Sequence, residues 1–165
     1  MTVVVTHSTP SDATFSAQGA TAWDANHTLS GVGTMAEQNA NAVSITGGAI
    51  SGTRVTPRIG SNGATTSGNI TPTGDTADQY NITGLTGSAA IQIPSGTPTD
   101  AQRLSIRIKD NGTARALTWV TSAGGYRVIG TTLPTTTTAN KTIYVGCVYN
   151  SADSFWDVVA VASEV

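Results

Sequence analysis

Charge is scarce in this 165-residue chain: Asp, Glu, Lys and Arg make up 11% of it, against roughly 25% in an average soluble domain. The formal net charge is −2, so no bulk field draws the chain to nucleic acid or to an anionic membrane. There is one cysteine, Cys147. That excludes an intramolecular disulfide and a multi-cysteine metal site, and its place within an apolar run marks it as a buried, inert thiol. Only His7 and His27 supply imidazole. Neither has a second ligand at helix or hairpin spacing, so no metal site is expected. A nucleophile–base pair would have to draw on one of these two. The chain has no Gly-x-Ser-x-Gly, no His-Glu-x-x-His and no phosphate-cradling glycine loop, and its Asp residues are scattered rather than paired. The expectation is a protein without catalytic residues, cofactor or metal. Long apolar runs are missing as well. No stretch is long enough for a membrane-crossing helix, and MTVVVTHSTPSD has no basic segment leading into an apolar one, so no signal peptide of that kind is expected.

What fills the chain instead is Thr, with Gly, Ala, Ser and Asn behind it. A β-branched threonine suits a pleated surface, and its hydroxyl wets that surface without adding charge. The composition fits a β-rich, weakly charged exterior. Asn-x-Thr at Asn26, Asn69, Asn81, Asn111 and Asn140 reads as chance in so Thr- and Asn-rich a chain.

The large apolar residues gather at the C-terminal end. Two strand-like runs, Lys141–Tyr149 and Phe155–Ala162, are joined by the turn-forming Asn150–Ser154 and read as a hairpin. In the first run Ile143, Val145, Cys147 and Tyr149 share one face, and Tyr144, Gly146 and Val148 the other. A strand apolar on both faces needs cover on both. One cover is the domain's own sheet, and a neighbouring copy of the chain is a candidate for the other. Further strands are expected at Gln79–Thr83, Ala89–Pro94, Arg103–Lys109, Ala114–Val120 and Tyr126–Ile129. Turn signals at Thr83-Gly84, Ser95–Pro98, Asp110–Gly112, Gly124-Gly125 and Leu133-Pro134 separate them. Asn111-Gly112 is the strongest hairpin signal, joining LSIRIK to RALTW. Several short strands at this spacing predict a β-sandwich of jelly-roll type over 75–165.

The N-terminal part is sparser. Thr2–Thr6 is a short β-branched run. Trp23, Asp24, Asn26 and His27 form a candidate docking element, because a lone Trp among small residues has no core of its own. A local staple within a loop is the equal alternative. Thr34–Ala42 favours a helix of two turns at most, with Thr34 and Glu37 at capping-box spacing. From Val43 single aliphatic residues, Ile45 and Ile50 among them, are separated by Gly and small polar residues. This is either a flexible linker or a fibrous segment in which several chains share a thin core. The regular spacing favours the fibrous form for Val43–Ile59, and Gly60–Thr73 reads as linker. The expected organisation is an arm over 1–55, a linker over 56–74 and a globular domain over 75–165.

Arg103, Arg107 and Lys109 alternate with Leu104, Ile106 and Ile108, so the three cations face one side of a strand. They are candidate contacts for an anionic glycan, with Tyr126 as a candidate exposed aromatic after Gly124-Gly125. The plain alternative is a solvated outer face. Trp156, with Tyr144 and Val148, reads as core or trimer packing.

Two stretches resemble a known class. Thr21–Gly52 carries Trp-Asp-Ala-Asn-His-Thr followed by Gly-Thr-Met-Ala-Glu-Gln-Asn-Ala-Asn-Ala-Val-Ser-Ile-Thr-Gly-Gly-Ala-Ile-Ser-Gly, similar to segments of tailed-bacteriophage tail-fibre and related virion proteins. Asp100–Glu164 resembles the C-terminal β-domain of such proteins, whether tail fibres, head fibres or decoration proteins. The resemblance implies a homotrimer on the virion surface, made in the bacterial host cytoplasm and attached to the major capsid protein or another virion protein, without cofactor or catalytic residues. The absence of a long shaft points to a capsid decoration or short head-fibre protein. A tail-fibre-type protein recognising a host-surface glycan is the alternative. Neither nucleic acid nor membrane is an expected partner.

Overall fold

Strand β4, Arg103–Asp110, shows the physical pattern that organises the fold: Leu104, Ile106 and Ile108 are buried while Arg103 and Lys109 are exposed. The computed structural model describes residues 54, 56–63 and 66–165. The other strands are β1 Ile59–Ser61, β2 Thr66–Ile70, β3 Gln79–Ile91, β5 Leu117–Trp119, β6 Tyr126–Val128, β7 Thr142–Asn150 and β8 Phe155–Ser163, with no helix among the described residues. The expected all-β character holds, and all eight strands belong to one mixed sheet ordered β1-β3-β4-β7-β8-β6, with β2 and β5 also on β3. Among the strand pairs β4–β7 and β7–β8 are antiparallel and the other five are parallel.

The thirteen-residue β3 is the spine. Its first half lies between β1 and β4, and its second half between β2 and β5. Two separate strands are expected here, split at Thr83-Gly84. Gly84 instead takes φ 69° and the register slips between Thr83 and Leu85. Glycine's access to the left-handed region turns the signal into a bulge inside one strand. Hydrogen bonds then run on from β3 to β6 at the far end. Val120 N–H donates to Ile91 O at 3.0 Å and Tyr126 N–H to Val120 O at 2.9 Å. The sheet therefore curls around one core that includes Ile82, Leu85, Ile91, Leu104, Ile106, Leu117, Tyr126, Val145, Trp156 and Val158.

The Asn111-Gly112 turn exists, with Gly112 at φ 100°, but it makes no hairpin. Both edges of β4 are already occupied, by β3 and β7, so the chain passes on to β5 alongside β3. Asp110 fixes the turn from below. Its carboxylate accepts from Thr137 Oγ1 at 2.6 Å and from the Gly112 and Asn140 N–H groups at 2.9 Å each.

The stretch read as a linker also carries structure: β1 and β2 both lie within it, with Ile70 buried. Arg54–Val165 forms one unit. Parallel pairing with the edge of β3 satisfies backbone groups there, whatever the side chains. At the other end the β7–β8 hairpin forms as expected.

Candidate binding face on the outer sheet

Pairing across β3, β4, β7 and β8 sorts the outward side chains into rows. One row is Gln79, Ser105, Gly146 and Ala160; the next is Asn81, Arg107, Tyr144 and Ala162. On the other side of the first row, Arg103 lies opposite Val148 and Val148 opposite Asp157. Lys109 lies between Thr83 and Thr142. Between Cys147 and Gly146 the register of β8 slips by one residue, so that Val159 has no partner on β7 and is 51% exposed. The slip is a bulge: Val158 stays in the core while Val159 and Ala160 both end up exposed.

Arg103, Arg107 and Lys109 do share the outer face, as the alternation predicts. Arg103 and Arg107 make no ion pair and no side-chain hydrogen bond among the described residues, whereas other guanidiniums of the unit are engaged. Arg58 pairs with Asp78 at 2.7 Å. Arg127 grips Asp157 through Nε at 2.7 Å and Nη2 at 3.0 Å, reaches Asp153 at 2.9 Å, and lies 5.1 Å from the Phe155 ring centre. The hydrogen bonds from Arg127 hold the Asp157 carboxyl below the ordinary carboxylate value, and those from Arg58 do the same for Asp78. Glu164 is lowered by the Thr142 N–H and more weakly by the charges of Lys141 and Lys109.

Tyr126 is not part of this face. It is fully buried, its ring meets Trp119 edge-on at 5.0 Å, and its hydroxyl has no partner within the described residues. Burial, and then the neighbouring Cys147, push its pKa well above the ordinary value. The expectation of an exposed glycan contact is therefore corrected. Gly125 approaches the Val120 carbonyl so closely that no side chain fits, and this tight turn directs Tyr126 inward. Trp156 is core, 1% exposed, against Tyr149 at 5.2 Å. Cys147 is buried, and burial pushes its thiol up to about 12. Tyr144, grouped with the packing residues in sequence, is 41% exposed on the outer face beside Arg107. Val148 is half-buried beside Arg103.

Alternation within β7 was the signal that could place Tyr144 outside. Its neighbourhood with Arg107 needs the β4–β7 register, which the sequence does not carry. Trp23, Asp24, Asn26, His27, Ile45 and Ile50 lie outside the described residues. Among the described residues no group of three His, Cys, Asp or Glu could hold a metal ion, and no helix is long and apolar enough to cross a membrane. No family model, curated protein or solved structure matches the chain.

Proposed function

We propose that the chain is a non-enzymatic structural protein of a bacteriophage virion, a trimeric capsid decoration or short head-fibre protein carried on the particle surface. The observation that carries this reading is the outer face of β8. Val159, Ala160 and Ala162 are exposed there, and no described residue covers them. Covering such a face with a second copy contributes about 25 cal/mol per Å² of apolar surface removed from water. The resemblance of Thr21–Gly52 and Asp100–Glu164 to phage virion proteins points the same way, and it assigns attachment to the arm over 1–55. The major capsid protein, or another virion protein, is the partner on this reading. Light scattering on the purified full chain tests it together with co-sedimentation on isolated capsids. A trimer mass and capsid binding are expected. A stable monomer that leaves capsids bare contradicts it.

A second reading, a tail-fibre-type protein that binds a host-surface carbohydrate, is favoured by a specific observation: Arg107, without an ion-pair partner among the described residues, lies directly opposite the half-exposed Tyr144.

A further inference from the structure

A shallow trough crosses the outer face from Pro57 to Val159. Gln79, Ser105 and Gly146 lie along it, and Arg103 and Val148 line it as well. The row of Arg107 and Tyr144 follows on the far side of Ser105 and Gly146. Asp78 also lines the trough, but Arg58 takes its charge. That leaves Arg103 and Arg107 as cations without an ion-pair partner among the described residues, on the same face of β4 and on either side of Ser105. Their Cα atoms are about 13 Å apart along the strand, so the two guanidiniums offer separate anion contacts on either side of Ser105. A guanidinium presents a planar fork of donors that matches a carboxylate. Tyr144 adds an aromatic surface one strand away from Arg107, at a cross-strand distance of about 5 Å. Gln79, Asn81 and Ser105 surround these groups with neutral donors and acceptors.

We infer that this trough and the row beside it bind an acidic saccharide, with carboxylates on Arg103 in the trough and Arg107 in the row, a sugar ring against Tyr144 and hydroxyls on Gln79, Asn81 and Ser105. The assignment rests on the carbohydrate-binding reading above and gives it a site and a ligand class. A single-stranded nucleic acid suits the face less well, because its charge repeats at every nucleotide and binding grows with the number of phosphates neutralised. Only Arg103, Arg107 and Lys109 are cationic on these rows.

Gly146 offers a clean way to block the trough. A Cβ added there meets only Ala160, at 3.7 Å from its Cβ and 3.9 Å from its carbonyl oxygen. Gly146→Ala therefore fits without adjustment, and Gly146→Leu projects into the trough. The test is calorimetric titration of the full chain with polygalacturonate oligosaccharides, with neutral maltohexaose and a single-stranded DNA oligonucleotide in parallel. The expected result is binding of the uronate oligomer, weakened at least about tenfold in Arg103→Gln/Arg107→Gln and lost in Gly146→Leu. All three variants should melt at the wild-type temperature, with Gly146→Ala as the folding control. Uronate binding unchanged in the double and Gly146→Leu variants overturns the site. DNA bound more tightly than the uronate, and lost in the same variants, overturns the ligand class. Maltohexaose binding that survives every variant, with no uronate binding, keeps the carbohydrate reading and removes this site from it. No binding of any saccharide removes both.

Discussion

Among the described residues Asp110 is the buried carboxylate whose loss should be felt most. Three donors converge on it: the Thr137 hydroxyl at 2.6 Å, and the Gly112 and Asn140 N–H groups at 2.9 Å, both on Oδ1. Asp110 is 4% and Thr137 2% exposed, whereas Gly112 is half-buried and Asn140 exposed, so water can reach the two N–H groups but not the Thr137 hydroxyl. Asp110→Ala leaves the buried Thr137 hydroxyl without its acceptor, at about 1–3 kcal/mol, and gives up the bonds to the two N–H groups, which water partly replaces. A net loss of about 2–3 kcal/mol follows. Asp110→Asn should cost less, about 1–2 kcal/mol. The amide oxygen still accepts from Gly112 and Asn140, and the amide nitrogen can donate to the Thr137 oxygen. What goes is the charge assistance.

The same residue sets a pH dependence. Burial pushes its pKa up, but the hydrogen bonds from Thr137, Asn140 and Gly112, with the charge of Arg115, outweigh that and hold it below the ordinary 3.8. Because the folded value is the lower one, the unfolded chain takes up the proton first. The contribution is therefore fully present above 3.8 and lost as pH falls through the folded value. Urea unfolding followed by tryptophan fluorescence, at neutral pH and in steps down into the acid range, measures both effects. Asp110→Asn should lose less stability than wild type on acidification. A change in stability of less than about 0.5 kcal/mol in Asp110→Ala would refute this account of the latch.

Three further outcomes are expected. Cys147, buried with its thiol pushed up to about 12, should resist a thiol reagent at pH 8 in the folded protein and react only at the rate of unfolding; rapid labelling of native protein would show the thiol accessible. Tyr126→Phe removes a hydroxyl with no partner among the described residues, so stability should stay within about 0.5 kcal/mol of wild type or rise, whereas a loss above about 1 kcal/mol would reveal a hydrogen bond to that oxygen. Trp156→Ala, at a site 1% exposed, should cost about 3–5 kcal/mol in the same urea assay, and a mild effect would show that the core collapses around the gap.

The strands best read from sequence are those with the plainest alternation. Arg103–Lys109 became β4 with one residue added at an end because one of its faces is plainly apolar; Phe155–Ala162 became β8, also with one residue added, from its run of apolar residues, and its bulge at Val159 breaks the alternation. The β1 and β2 strands are hidden for the opposite reason. Ile59–Ser61 and Thr66–Ile70 are mostly small and polar, and it is the open edge of β3 that recruits them. Thr83-Gly84 and Asn111-Gly112 show why turn signals mislead. Each supplies a left-handed glycine, but whether it closes a hairpin depends on which edges are free. The candidate face was half legible. Alternation put Arg103, Arg107 and Lys109 together; the exchange of Tyr126 for Tyr144 as their aromatic neighbour came from a tight glycine turn and a cross-strand register, both tertiary.

The most direct test of the virion assignment is immunogold electron microscopy of intact phage particles, with antibody raised against the Arg54–Val165 unit. Label spread over the heads is the predicted result. Label confined to the tail tip would contradict the decoration role and make host-surface recognition the leading function, and particles free of label would contradict both.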